Sequence, residues 1–118
     1  MKKYDLEERT AKFGENVIIF AKKIPNTIIT KRIIPQLIAS STSVGANYCE
    51  ADCSESNKDF IHKMSIANKE AKESKHFLRM ISCACEECLI DGRKLWTEAN
   101  ELNLIFTTII KKSKEKLK

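Results

Sequence analysis

Apolar residues recur along the chain at helical spacing in four separate stretches. Leu6, Thr10, Phe13, Val17, Phe20 and Ile24 alternate steps of four and three, the stripe an amphipathic helix turns toward a partner. Pro25 follows directly and ends the first stretch, because the residue before proline disfavours helical backbone. The second stripe is Ile34, Leu37, Ser41, Val44, Tyr48 and Ala51. Thr30 can cap it, but a start there puts Pro35 inside the helix and predicts a kink, whereas a start near Ile34 avoids one. The run Ala39-Ser-Ser-Thr-Ser43, with Gly45 and Ala46, gives this helix a small-residue flank that a neighbour can approach closely.

The third stripe is Phe60, Met64, Ala67, Ala71, Ser74, Leu78, Ile81, Cys85 and Cys88, preceded by Ser56 and Asp59 in capping-box spacing. It predicts a helix of about 33 residues, roughly 50 Å long, broken at Gly92. The fourth stripe, Leu95, Ala99, Leu102, Phe106 and Ile109, fades into a lysine tail. No strand-type alternation competes with these four. Short connections between four such helices predict an all-α fold, an antiparallel up-and-down four-helix bundle, as a single domain over residues 1–118.

Composition agrees. Three glycines and two prolines in 118 residues are too few for a sandwich or barrel, which needs a turn about every ten residues. The longest apolar run, Val17 to Ala21, is far below the roughly 20 residues a membrane-spanning helix needs. Lys2 and Lys3 lead into Tyr-Asp-Leu-Glu-Glu rather than an apolar stretch, so a cytoplasmic chain without membrane association is expected. Eleven large apolar residues lie off the stripes: Ile18, Ile19, Ile29, Ile33, Ile38, Ile61, Phe77, Met80, Trp96, Ile105 and Ile110. Some widen the core-facing stripe, but the number predicts an interface between copies of the chain.

The net charge of +5 is unevenly placed. The two ends carry +6 and residues 4–110 carry −1. Residues 16–49 contain Lys22, Lys23, Lys31 and Arg32 and no acid, and the tail carries Lys111, Lys112, Lys114 and Lys116 with one glutamate. These eight cations are the candidate nucleic-acid contacts, directed at phosphates; the competing reading is a solvated face with cations offsetting helix C-termini. Up-and-down topology puts the first basic loop beside Glu86, Glu87 and Asp91. It puts the acidic second loop, with Glu50, Asp52, Glu55 and Asp59, beside the lysine-bearing ends. Each basic cluster therefore has acid close by.

No catalytic constellation emerges. His62 and His76 lack a nucleophile, Glu50 and Asp52 fall on different helix faces, and Glu70 and Glu73 sit among Lys69, Lys72 and Lys75 as on a solvated surface. No phosphate-cradling glycine loop is present, and aromatics are not interleaved with basic residues as a base-stacking platform requires. The five cysteines do not read as a disulfide framework. Cys49 and Cys53 lie about 45 Å along the bundle from Cys83, Cys85 and Cys88, so the clusters cannot share a metal. The favoured reading is small buried or helix-end residues; zinc at the triple cluster would need a fourth ligand. No enzyme activity, cofactor or metal is expected.

Ser43-Val-Gly-Ala-Asn-Tyr-Cys-Glu-Ala51 followed by Ser56-Asn-Lys-Asp-Phe-Ile-His-Lys-Met-Ser-Ile-Ala-Asn-Lys-Glu-Ala-Lys-Glu-Ser74 resembles the four-helix-bundle family encoded in intervening sequences of bacterial 23S rRNA genes. The likeness runs from Asp5-Leu-Glu-Glu-Arg-Thr to Glu98-Ala-Asn-Glu-Leu102. It implies an antiparallel bundle assembled as a homopentamer, with no established enzymatic activity. A related branch, the accessory variability protein of diversity-generating retroelements, binds a reverse transcriptase and nucleic acid through basic surface. The resemblance thus implies an RNA-associated scaffold, or alternatively a protein-interaction adaptor without RNA contact. Pro35 and the cysteines lie outside the family pattern.

Overall fold

A computed structural model describes residues 5–117. Lys2, Lys3 and Lys118, counted above in the end charges, fall outside that range. Four helices follow in order: α1 (Leu6–Lys23), α2 (Thr30–Asp52), α3 (Asn57–Ala84) and α4 (Leu89–Lys116), with a 3-10 turn at Glu86–Cys88 before α4. Cross-helix contacts give every neighbouring pair an antiparallel course. Thr10 packs on Gly45, Ser74 bonds Ser40, Lys63 reaches Glu50, Lys75 meets Asn100 and Asn57 meets Ser113. The chain is thus an up-and-down bundle 49 Å long.

The stripes become the core. All six positions of the first are buried, and so are Leu37, Val44, Met64, Leu78, Ile81, Leu102 and Phe106. Full burial of a side chain such as Phe13 or Phe106 contributes about 2–3 kcal/mol. Hydroxyls inside this core satisfy themselves locally. Thr10 donates to Leu6 O at 2.7 Å, Ser40 to Leu37 O, and Ser74 to Glu70 O. Because each hydroxyl has a carbonyl of its own helix within reach, with Ser74 and Ser40 also meeting across α3 and α2, the helices can close on these small residues without leaving the hydroxyls unpaired. Gly45 shows how close they come: a Cβ there would stand 3.3 Å from Thr10 Oγ1.

The α3–α4 junction differs from the expectation, and α2 takes the earlier of its two expected starts. α2 begins at Thr30, so Pro35 does lie inside it. Thr30 is the first helical residue and not the cap. The preceding Thr27 does the capping: its hydroxyl accepts from the amides of Ile29 and Thr30 at 3.2 and 3.1 Å, and its carbonyl accepts from Lys31 at 3.0 Å.

α3 ends at Ala84 after 28 residues, not 33, and Cys85 breaks it by adopting extended backbone. Gly92 is not a breaker; it is buried inside α4. Its missing side chain is needed for a different reason, since a Cβ would meet Ser82 Oγ at 2.8 Å. Past the end of its apolar stripe, α4 remains helical through Lys116, and its Ser113 carbonyl accepts from Asn57 Nδ2 at 2.9 Å. At the start of α3, Ser56 caps as expected, its hydroxyl accepting from the Asp59 amide at 3.0 Å.

α1 and α4 close the bundle through charge. Arg9 forks onto Glu98 at 2.7 and 2.8 Å and reaches Glu101 at 2.7 Å. Those hydrogen bonds, Glu98 first, hold the guanidinium pKa above its ordinary value. Of the eleven off-stripe residues, Ile33, Ile38, Phe77, Ile105 and Ile110 pack against the core. Ile18, Ile19, Ile29 and Trp96 are exposed, joined by Ile28, Leu89, Ile90 and Leu104. No helix among the described residues is long and apolar enough to cross a membrane.

Candidate nucleic-acid interface

The first basic cluster is built by a helix-loop-helix junction. Lys22 and Lys23 occupy the last turn of α1, where cations offset the negative helix end. Lys31 and Arg32 are different. They lie in the first turn of α2, which contains no acid, so they add positive charge to the helix end that already carries it. Helix stability does not account for them there. All four are exposed, and among the described residues none takes part in an ion pair. Ile28, 84% exposed, and Ile29 project from the loop between them.

The acid expected nearby is present on one flank. Asp91 shares a shallow groove with Lys23, Lys94 and Ile19. At the opposite end, Lys111, Lys112, Lys114 and Lys116 are exposed on the last two turns of α4, beside the start of α3 through the Asn57–Ser113 bond. Here the helix end favours cations, and Glu115 is interspersed. The structure therefore joins Lys22 and Lys23 with Lys31 and Arg32, and leaves the tail cluster far from them. The Glu50 side chain near the tail end is already engaged by Lys63 at 2.7 Å, which raises the Lys63 pKa.

Around Tyr48 and Cys49 the field is negative. Burial, then Asp52 and Glu7, push the Tyr48 hydroxyl pKa up. Partial desolvation, then Glu7 and Cys53, do the same to the Cys49 thiol, which lines the crevice between α1 and α2. Burial followed by Glu73 raises the Glu70 carboxyl.

The triple-cysteine segment does not converge. Cys83 is exposed, while Cys85 and Cys88, both buried, form a disulfide with Cα atoms 5.4 Å apart. This local bridge corrects the expectation of unpaired cysteines; the extended backbone at Cys85 brings the two side chains together. No group of three His, Cys, Asp or Glu side chains able to hold a metal forms among the described residues.

Folding does assemble one cluster that the linear sequence conceals. Between α3 and α4 lies a groove of about 410 Å³, where Arg79 and Ser82 face Leu89, Arg93, Trp96 and Thr97. Lys75 Nζ sits 5.2 Å from the Trp96 ring centroid. Aromatic and basic groups are thus interleaved in space, contrary to the sequence expectation. The one local signal was Arg93 and Trp96, three residues apart on one helix face.

A family model described as 23S rRNA-intervening sequence protein matches residues 2–108. The chain belongs to that family. Among solved structures, this intervening-sequence protein is similar to a protein of unknown function from the S23 ribosomal protein family of Bacteroides thetaiotaomicron VPI-5482. That likeness has a TM-score of 0.76 and 26% identity, and covers 89% of this chain and 97% of the other. No curated protein matches the intervening-sequence protein.

Proposed function

We propose that this protein is a non-enzymatic, cytoplasmic homo-oligomer that associates with RNA through phosphate contacts. Five copies is the assembly that the family resemblance implies. The observation that carries the reading is the placement of Lys31 and Arg32 in the first turn of α2 without ion-pair partners among the described residues. There the positive end of the helix dipole and two side chains attract the same anion. Lys22 and Lys23 extend the site, and Lys111, Lys112, Lys114 and Lys116 form a second one. Neutral overall charge in the body makes each site weak, and an oligomer multiplies weak sites through avidity.

Light scattering on size-exclusion peaks, with absorbance at two wavelengths, tests assembly and bound nucleic acid together. The expected result is a multimer whose retained RNA falls steeply with salt. A monomer, or a nucleic-acid-free multimer that binds no RNA at low salt, would overturn the reading.

Exposed apolar side chains favour a second reading, an adaptor that holds a protein partner such as a reverse transcriptase without touching RNA. Ile28 and Ile90, 84% and 71% exposed, are more apolar surface than phosphate binding needs. This reading predicts a specific co-purifying protein and tolerance of losing residues 111–118.

A further inference from the structure

We propose that the groove between α3 and α4 binds single-stranded RNA, with one unpaired base stacked on Trp96 and the adjoining phosphates held by Arg79 and Arg93. The inference rests on the RNA reading above and adds a place where a base, and not only phosphate, is engaged.

Three observations support it. The first is charge. The chain has four arginines; Arg9 is consumed by its carboxylates, whereas Arg79 and Arg93 face one groove and join no ion pair among the described residues. No aspartate or glutamate lines that groove. A guanidinium matches phosphate as a two-pronged donor and also stacks on flat rings, so two unengaged ones flanking a cleft suit a phosphodiester.

The second is the aromatic. The chain has one tryptophan, and the fold leaves it 40% exposed while its neighbours Leu95 and Ala99 turn toward the core. Lys75, anchored on Asn100 Oδ1 at 3.0 Å, lies over the ring and fixes its orientation by cation–π attraction. A preoriented indole with free surface is a stacking platform, and stacking one base on such a ring contributes about 1–3 kcal/mol.

The third is shape. A groove of about 410 Å³ falls within the roughly 300–1,000 Å³ of small-molecule sites. Gly92 contributes no side chain to fill it. Bases in an RNA duplex are already stacked and lie in a groove side chains cannot enter, so only an unpaired base can reach Trp96. An acidic peptide would satisfy the arginines but leave the indole face without a flat partner, which is why single-stranded RNA is favoured.

The lone tryptophan makes the test direct. The intact protein is titrated with a short oligouridylate, an RNA duplex of equal length, inorganic polyphosphate and a polyglutamate peptide while Trp96 emission is followed. Oligouridylate is expected to quench strongly and the other three weakly. Anisotropy of labelled oligouridylate should show Trp96→Phe close to the parent and Trp96→Leu weakened roughly 5- to 150-fold. Arg79→Ala with Arg93→Ala should lower the salt slope by about 1.4. Circular dichroism melts confirm that each variant is folded.

Oligouridylate binding without quenching, and unaffected by Trp96→Leu, would overturn this inference and leave the loop-and-tail reading intact. Equal quenching by polyphosphate or duplex would remove the stacked base, and stronger quenching by polyglutamate would assign the groove to protein. No RNA binding at any salt would overturn both readings together.

Discussion

Gly92 and Ser82 meet so closely that a methyl group on residue 92 would stand 2.8 Å from Ser82 Oγ. Ser82 also donates to Leu78 O at 2.9 Å, so its hydroxyl cannot swing aside without breaking that bond. Gly92→Ala should gain about 1 kcal/mol of helix propensity and lose most of it to the displaced hydroxyl. With Ser82→Ala already in place, the same substitution should stabilise by nearly the full amount. Urea melts across this four-member cycle measure the difference, and equal effects in both backgrounds would refute the contact.

Arg9 is the principal polar tie between α1 and α4. Its side chain and those of its partners are 25–55% exposed, so solvent screening limits the network to about 1 kcal/mol. Arg9→Ala should speed amide hydrogen exchange in α1 while leaving α2 and α3 unchanged. Arg9→Lys should recover only part of the protection, because an ammonium cannot reproduce the fork. Uniform acceleration across all four helices would argue against a local tie.

Lys31 and Arg32 should behave as groups retained at the expense of stability. Lys31→Glu and Arg32→Glu each reverse an unfavourable helix-end charge and should stabilise the fold by about 0.3–1 kcal/mol. The same substitutions should weaken RNA binding. A thermal melt and a salt-controlled binding assay on the pair give both answers; loss of stability on reversal would mean that the cations serve packing.

The Cys49 thiol, pushed up by desolvation and by Glu7 and Cys53, should be slow to react. A raised pKa shifts the thiolate to higher pH, so at any pH below it the nucleophilic fraction is smaller. Iodoacetamide labelling followed by peptide mass spectrometry should give Cys49 a pH midpoint above the ordinary thiol value of about 8.5. Glu7→Gln should move that midpoint down. A midpoint at or below the ordinary value contradicts the partial desolvation and negative surroundings of this exposed thiol at the α1–α2 crevice.

Helical periodicity was sufficient to assign Leu6, Thr10, Phe13, Val17 and Phe20 to the core side of α1, though it passed over Gly14, which is buried where α1 meets Ser41 and Thr42 of α2. It was insufficient at the α3–α4 junction. Gly92 looked like the break because glycine usually weakens helices, yet here it serves a tight interhelical contact. The real break at Cys85 contains neither glycine nor proline and is held by a 3-10 turn, with the Cys88 amide donating to Cys85 O at 3.1 Å.

The basic loop could be read directly because its four cations are close in sequence. Arg79 and Trp96 belong to different helices and become neighbours only when α3 and α4 pair. No linear pattern of charge and aromaticity contains that proximity.

The antiparallel course has a kinetic consequence. α1 with α2, α2 with α3, and α3 with α4 are each joined by a connection of four to six residues, so these pairings require little loop closure. Only α1 with α4 must bring together residues as distant as Arg9 and Glu98, separated by 89 positions. Folding should therefore proceed on the fast timescale of low-contact-order bundles, with hairpins forming first and the α1–α4 seam sealing last. That seam should also be the first to reopen.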